Sequence, residues 1–470
     1  SIYFIKYSLI TVLGCTIGYL LSFKLTPVVE RNLELYMGVA DKGIIDYGLQ
    51  ILATALIGGI TVLLCRKSIK KIETVNTIKA LQDNNEISSD KVIRRPSLFG
   101  RGGAWTNFKL GIKYLLSYKK PYIVLLLIFM SLSFLVLLPV QITSTLKSSQ
   151  FTSYMGVASS DLRVDFQQGG VDKSIVESAL ANDDNITDYQ VFNTYLAKTD
   201  NSDGKSVTVN FETGDYSIFS LSCITGSLPQ KTNQIAVSYL LANDLGIKVG
   251  DKITFTISDQ AYTYKVSGIY QDITNGGKSA KSIGSISNAD VSRSVINVNV
   301  SSEKKKQLVE EKLKSDFQDG KVTDISEYVN QSMGDIITQF SLITVITIII
   351  AILVTILTIT IFMRTLIVRY RADIAVMKAL GYKNGDIRSQ YRTRIIIPLF
   401  IGLIIGSALV LIAGQPLVSA FAASQGAPQI VFISNPFIVY GLFPMSILVV
   451  AIVTIYLSSN LLNGIKLIQK

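Results

Sequence analysis

The chain contains no histidine, and so lacks the commonest metal ligand and the usual general base near neutral pH. Cysteine is nearly as scarce. Cys15 and Cys65 fall in or beside apolar runs and Cys223 stands alone in a polar segment. Neither a disulfide framework nor a zinc-binding spacing can be built from them. No secretory leader stands out at the start, where SIYFIKYSLI enters an apolar run without an initiating methionine; the expectation is a piece of something longer. The apolar runs hold Gln339 and several Thr and Ser but no carboxylate or lysine deep within them, and ion relays through a membrane rest on such groups. A nucleotide-binding loop is also missing. The string Asn275-Gly-Gly-Lys-Ser279 offers a Gly-Lys pair, but the glycine needed five positions earlier is Asp272. Together these absences argue against an enzyme, an ion-coupled carrier and a chain that hydrolyses its own ATP.

What is present is apolar length. Hydrophobic residues make up 49% of 470, with a mean hydropathy of +0.39, too high for one soluble domain. A membrane-crossing helix needs about 20 apolar residues. Residues 122–143 and 336–363 carry no charge, and residues 395–465 are uncharged throughout. Gly414, Pro416, Gly426, Pro428 and Pro436 divide that last run into expected spans at 395–413 and 437–457. Shorter uncharged runs at 7–23 and 47–65 bring the expected spans to six.

Charge fixes the orientation. Residues 66–120 carry 13 Lys/Arg against 4 Asp/Glu, and residues 364–394 carry 8 against 2. Residues 143–335, in contrast, carry 18 basic and 24 acidic side chains. Basic segments therefore alternate with the spans, which places them, and the tail with Lys466 and Lys470, in the cytoplasm. The net charge of +11 is thus a topology signal, and nucleic acid is not an expected partner. Lys119 and Lys120 sit where their stems can pack on lipid while their heads reach the phosphates.

The expected fold is an α-helical membrane protein with a mixed α/β extracytoplasmic domain. Residues 1–66 hold two transmembrane helices, 67–120 a cytoplasmic linker with a mobile middle at 82–96, 121–143 a transmembrane helix, 144–335 the outer domain, and 336–470 three further helices. Within the outer domain, residues 171–181 have helical spacing with Ile175, Val176 and Ala179 on one face. Residues 303–317 form an amphipathic helix carrying Leu308, Val309, Leu313 and Phe317. Alternating patterns at 206–211, 252–257 and 262–270 predict strands, Gly250-Asp251 a turn, and the whole suggests two lobes. Residues 8–28 align loosely with 395–418, and 48–72 with 441–465, so the first two helices read as the end of a repeat whose complete copy is 111–470.

Residues 369–394 carry the sharpest pattern. Ile374, Ala375, Met377 and Leu380 are apolar at helical spacing, and Gly381 allows a turn that a Cβ would hinder. Two readings stand: an interfacial helix on the headgroups, or a short cytoplasmic helix that pushes on a partner. The string Asp373-Ile374-Ala375-Val376-Met377-Lys378-Ala379-Leu380-Gly381, followed by Tyr382, resembles the hallmark of the FtsX/MacB-like permease family, with Asp373 where Glu is commoner. Independently, Gly226-Ser-Leu-Pro229, Ile235-Ala-Val237, the run 240–246, Val249-Gly250-Asp251 and the run 264–269 resemble that family's periplasmic-core domain. Residues 69–81 resemble its cytoplasmic ending, without the usual proline.

The resemblance implies FtsX-like transmembrane helices with a MacB-like outer domain, in tandem repeats of which the first lacks its start. It implies the permease subunit of a mechanotransmission-type ABC transporter in a bacterial plasma membrane. On this reading Asp373, Ile374, Val376, Met377, Lys378, Ala379, Leu380, Gly381 and Tyr382 form the helix docked on an ABC ATPase subunit, present in two copies. No catalytic, metal or cofactor site is implied here, ATP and magnesium being held by the ATPase. The expected function is export or extraction of an amphiphilic or peptide substrate. The alternatives are a mechanotransmitter regulating a cell-wall hydrolase or a peptide-sensing kinase, and a membrane receptor outside the ABC class.

Overall fold

The computed structural model describes residues 2–37, 44–73, 103–167, 169–200, 206–286, 289–433 and 435–460. The expected mobile stretch 82–96, most of the resemblance at 69–81 and the tail lysines lie outside the described residues. The chain forms two units, residues 1–102 and 103–470.

The first unit holds helices α1 (Ile2–Met37) and α2 (Ile44–Glu73). Their surfaces are exposed aliphatic side chains such as Leu9, Leu13, Leu52 and Leu56. Four threonines close on their own helices: the hydroxyls of Thr11, Thr16, Thr54 and Thr61 each donate to the carbonyl four residues back. In a hydrocarbon solvent that local closure removes the cost of an unpaired hydroxyl.

The second unit begins with α3 (Gly103–Ser117) and α4 (Lys119–Leu146). After the outer domain the chain returns through α8 (Ile325–Arg369), α9 (Arg371–Ala379), α10 (Asn384–Leu409), α11 (Gln415–Ala423) and α12 (Phe443–Ser459). Among the described residues five helical stretches are long and apolar enough to cross a membrane: Gln50–Lys67, Lys119–Leu146, Ile325–Arg369, Asn384–Ala423 and Val439–Ser459. The expected span at 7–23 coincides with a shorter apolar stretch, Phe4–Leu20. The protein is a multi-pass membrane protein.

One expectation needs correction here. Gly414 and Pro416 do not end the span that begins near Ile395. Helix continues past them through a π turn, Val410–Gly414, into α11, where Pro416 lies in the first turn. Pro416 has no N–H to give to the preceding turn, and the π turn just before it is where the helix departs from regular α geometry. The break falls at 424–433, where Gly426 adopts φ +105°. The core of the helical layer joins α4, α8, α10 and α12 through Phe129, Val136, Ala351, Ile359, Tyr391, Leu399 and Ile455. Gly402 and Gly406 let α10 lie directly on α4: a Cβ on Gly406 would come within 2.5 Å of the Met130 carbonyl. Small residues at this spacing are the usual means of close helix approach in lipid.

Between α4 and α8 stands the outer domain. Its strands are β1 (Leu162–Phe166), β2 (Ile186–Asp200), β3 (Ser206–Thr213), β4 (Cys223–Gly226), β5 (Gln234–Ser238), β6 (Lys252–Ile257), β7 (Gln260–Tyr270), β8 (Ser279–Ser282), β9 (Arg293–Val300) and β10 (Lys321–Asp324). They form one sheet in the order β10-β1-β9-β2-β3-β8-β5-β7-β4, with β6 paired to β2 and β7. The pairs β3–β8 and β5–β7 are parallel. The long β2 spans two cores, because its first half pairs with β9 and its second with β3. One core packs helices α5 (Lys173–Leu180) and α7 (Lys306–Asp316) on Leu162, Val164, Ile296 and Val298. The other surrounds α6 (Tyr239–Leu245), with Phe211, Val237, Phe255 and Val266.

Two helix faces differ from expectation. In α5 the buried side chains are Val176 and Leu180, and Ile175 is exposed; in α7 Val309 and Leu313 are buried with Phe317, and Leu308 is exposed. Each time the apolar residue one place before the buried one was assigned to the same face, a rotation of about 100°. The Gly250-Asp251 turn is present, with Gly250 at φ +103° and the Asp251 carboxylate accepting the Lys248 N–H at 2.8 Å.

Candidate functional site

Helix α8 ends at Tyr370, where the backbone leaves helical geometry (φ −105°, ψ 26°), and α9 starts at the next residue. Asp373 lies in the first turn of α9 and Lys378 in its last, the arrangement that complements the helix dipole. The helix is closed by Gly381 at φ +87°. The Gly381 N–H donates to the Lys378 carbonyl at 3.0 Å and the Tyr382 N–H to the Met377 carbonyl at 3.1 Å. This paired closure needs a left-handed residue, which glycine supplies without a Cβ penalty. Helix α10 begins three residues later, so α9 is a nine-residue segment held between two membrane helices by short joints.

The apolar residues of this segment do not share one face. Ile374 is fully buried and Met377 half-buried; with Tyr370 they pack on the core of the membrane helices. Val376, Ala379, Leu380 and Tyr382 are exposed, Leu380 by 73%. Ala375, Asp373 and Lys378 are intermediate. Leu380 was expected beside Ile374, but six helical steps of about 100° carry it to a different side. One side of α9 therefore anchors the segment, and the other leaves a small apolar surface uncovered by the chain.

Around this segment lies a polar framework that the sequence reading missed. Helix α3 packs across the start of α10, where Gly111 admits Thr393: a Cβ on Gly111 would lie 2.9 Å from that of Thr393. Buried Asn107 donates to Asp386 at 2.8 Å and accepts from Gln390 at 3.2 Å. Arg394 is almost fully buried, its guanidinium 4.0 Å from the ring centre of Tyr114 and 4.3 Å from that of Tyr391. Its Nε and Nη2 have no hydrogen-bond partner, so the two aromatic faces carry much of its stabilisation. Burial, and next the negative charge of Asp373, raise the Tyr114 phenol above its ordinary range, while Arg394 opposes them. Further along α10, Arg392 lies 3.7 Å from the Tyr456 ring centre and donates to Ser459 at 3.0 Å. The motif is thereby tied to α3, α4, α10 and α12. Arg394 had been counted only as part of a basic segment; its place one residue before a charge-free run was the available signal.

The chain thus combines membrane helices flanking a mixed α/β domain with a short helix set between two spans. Residues 345–464 match the family of FtsX-like permease C-terminal domains, a stretch that includes α9 and all its named residues. No curated protein matches the chain. Among solved structures, the periplasmic region of MacB from Actinobacillus actinomycetemcomitans is similar at 12% identity and a TM-score of 0.27, over 38% of this chain and 94% of that one. A domain of a putative permease protein from Porphyromonas gingivalis is similar at 11% identity and a TM-score of 0.25, over 35% and 86%. Likenesses this slight support no step below.

Proposed function

We propose that the chain is the permease subunit of an ABC transporter that works by transmitting movement across the membrane. ATP is hydrolysed by a separate subunit, two copies of which serve the assembly. That subunit docks on the exposed side of α9, where Val376, Ala379, Leu380 and Tyr382 offer apolar contact rimmed by Lys378 and Lys383. The opposite side, Ile374 and Met377, passes the displacement into the packed ends of α4, α8 and α10. Helices α4 and α8 run on to the outer domain, so its two cores are the parts that move. The proposed work is export or extraction of an amphiphilic or peptide substrate at the outer face, with the basic segments and the C-terminus inside.

The observation that carries this reading is the two-sided character of α9. A helix merely lying on lipid would turn its apolar side toward the bilayer and its charges outward. Here Ile374 and Met377 are consumed in packing against the membrane helices, and a second set of apolar side chains, Val376, Leu380 and Tyr382, is left uncovered by the chain. The test is to purify the full chain from its native cells and identify co-purifying proteins, with and without Leu380→Asp. An ATPase that accompanies the wild-type chain and is lost from an equally abundant variant supports the proposal. Equal recovery with both sinks it.

A further inference from the structure

The segment first met as a false nucleotide loop lies at a junction of three parts of the molecule. Strand β7 ends at Tyr270, and Gln271 and Asp272 follow as buried polar residues. On one side the Gln271 side chain accepts the Gln429 N–H at 2.9 Å, and the Asp272 N–H donates to the Gly426 carbonyl at 3.3 Å. On the other, the Ile273 N–H donates to the Tyr154 carbonyl at 3.0 Å, and the Thr274 hydroxyl lies 3.2 Å from the Met155 carbonyl. Tyr154 and Met155 belong to the 3-10 turn Ser149–Met155 that follows α4. The Tyr154 hydroxyl in turn accepts the Val431 N–H at 2.9 Å.

Residues 424–433 are the extracytoplasmic connection between α11 and α12, and they are held from every side. Ser419 of α11 binds Ile430, and Thr145 of α4 accepts the Ile433 N–H at 3.0 Å. The fit at Asp272 leaves no room. A Cβ on Gly426 would lie 2.1 Å from the Asp272 carbonyl, and one on Gly156 2.8 Å from its carboxyl carbon. The carboxylate accepts from the Thr274 N–H at 2.8 Å, from the Thr274 hydroxyl at 2.7 Å and from the Ser279 hydroxyl. Ser279 also bonds the Tyr270 hydroxyl at 2.7 Å.

We propose that Asp272 is a positioning residue that locks the outer domain to the connection 424–433 and to the turn after α4, making a second transmission point beside the helices α4 and α8. The proposal rests on the reading that the membrane helices move, but the lock itself operates without nucleotide. Its strength is set by protonation. Burial raises the Asp272 carboxyl from 3.8 to about 6, against the opposing hydrogen bonds from Ser279 and Thr274 and the charge of Lys281. The groups facing it are few. Tyr270 and Lys281 come from the sheet, Lys281 being itself paired with Glu212. Residues 424–433 bring no charge at all. A carboxyl whose value is raised in the closed lock favours closure when protonated. Closure is therefore strongest below about pH 4 and weakens as pH rises through about 6, by on the order of 100-fold in the closed-to-open ratio if opening exposes the group fully.

The experiment uses the full chain in nanodiscs, with Cys15, Cys65 and Cys223 replaced by serine and nitroxide labels at Ser424 and Lys248, both exposed. Distances are measured by pulsed electron resonance without ATP. The wild-type chain is expected to give one narrow distribution at pH 4 and a second population that grows up to about pH 6 and has levelled off at pH 7.5. Asp272→Asn, which keeps the shape and can donate to Ser279 as the protonated acid would, stays narrow at both. Asp272→Ala is broad at both. A distribution that ignores pH in the wild-type chain, or an Asp272→Ala chain as narrow as wild type, overturns the proposal. Neither outcome bears on whether an ATPase binds α9.

Discussion

Ile374 and Leu380 lie six residues apart in one short segment, and the structure predicts opposite responses to their replacement. Leu380 is 73% exposed, so changing it removes little packing from the free chain, and its folding is expected to shift by less than about 0.5 kcal/mol. In the proposed complex the same position becomes contact surface. Burying a leucine there contributes about 1.5–3 kcal/mol, which Leu380→Asp forfeits. Leaving an unpaired carboxylate in the contact costs a further ~3–5 kcal/mol. Even a sum near 5 kcal/mol lowers affinity by more than about 1,000-fold, since each 1.4 kcal/mol is a factor of ten. Ile374→Ala acts the other way. Ile374 is fully buried, so its truncation is expected to cost ~2–5 kcal/mol of fold stability and to affect association only through the fold. The assay is binding of the purified ATPase partner to the chain in nanodiscs, beside detergent unfolding of the chain alone. Lys383→Asp, on an exposed polar position, is the control and is expected to change affinity far less. Leu380→Asp that binds within threefold of wild type refutes the assignment of the exposed side of α9 as the docking surface.

Other positions give independent tests. Gly406→Val drives side-chain atoms into the Met130 carbonyl and Ser133 and is expected to weaken helix packing by about 1–3 kcal/mol, read as a lower midpoint in detergent unfolding. Gly334→Val, at a helical site with open space, is expected to leave the midpoint unchanged, and equal effects of the two would disprove close α4–α10 packing. Arg394→Lys keeps a buried charge but gives up the planar stacking on Tyr114 and Tyr391, worth about 1–2 kcal/mol. The measurable outcome is faster proteolysis within α3, and an unchanged rate would show that the stack does not hold α3 in place. Cysteines replacing Lys248 and Lys383, both exposed, are expected to report opposite sides of the membrane on intact cells. Only the first should react with an impermeant reagent, and reaction of the second alone would invert the topology.

The membrane helices were legible because their signals are cumulative. A charge-free run of twenty residues needs no knowledge of neighbours. The string from Asp373 to Gly381 was legible for a different reason, its backbone closure being local and glycine-dependent. What could not be read were properties that depend on which side of a helix meets a neighbour. Leu380, Ile175 and Leu308 are as apolar as the residues beside them, and only packing separates the buried from the exposed. Arg394 and Asp272 were hidden by the same limit. Each looks like an ordinary charged residue until distant segments, α3 in one case and residues 424–433 in the other, close over it.

Helix α8 runs for 45 residues without a proline, about 68 Å at 1.5 Å per residue. It passes from the edge of the β-sheet, where Asp324 caps it by accepting the Ser326 N–H, to the first residue before α9. A rod of that length converts angle into distance. If it pivots near its middle by about 10°, each end swings by about 6 Å, roughly the pitch of one helical turn. The neighbouring spans are built differently, since α4 carries Pro139, α10 carries Pro398, and π turns interrupt the path at 410–414 and 437–442. Those spans can bend and absorb strain, whereas α8 can only tilt. On the proposed reading, a tilt of about 10° at the α9 end would therefore reach the outer domain as a displacement of about 6 Å, with no aqueous path opened through the bilayer.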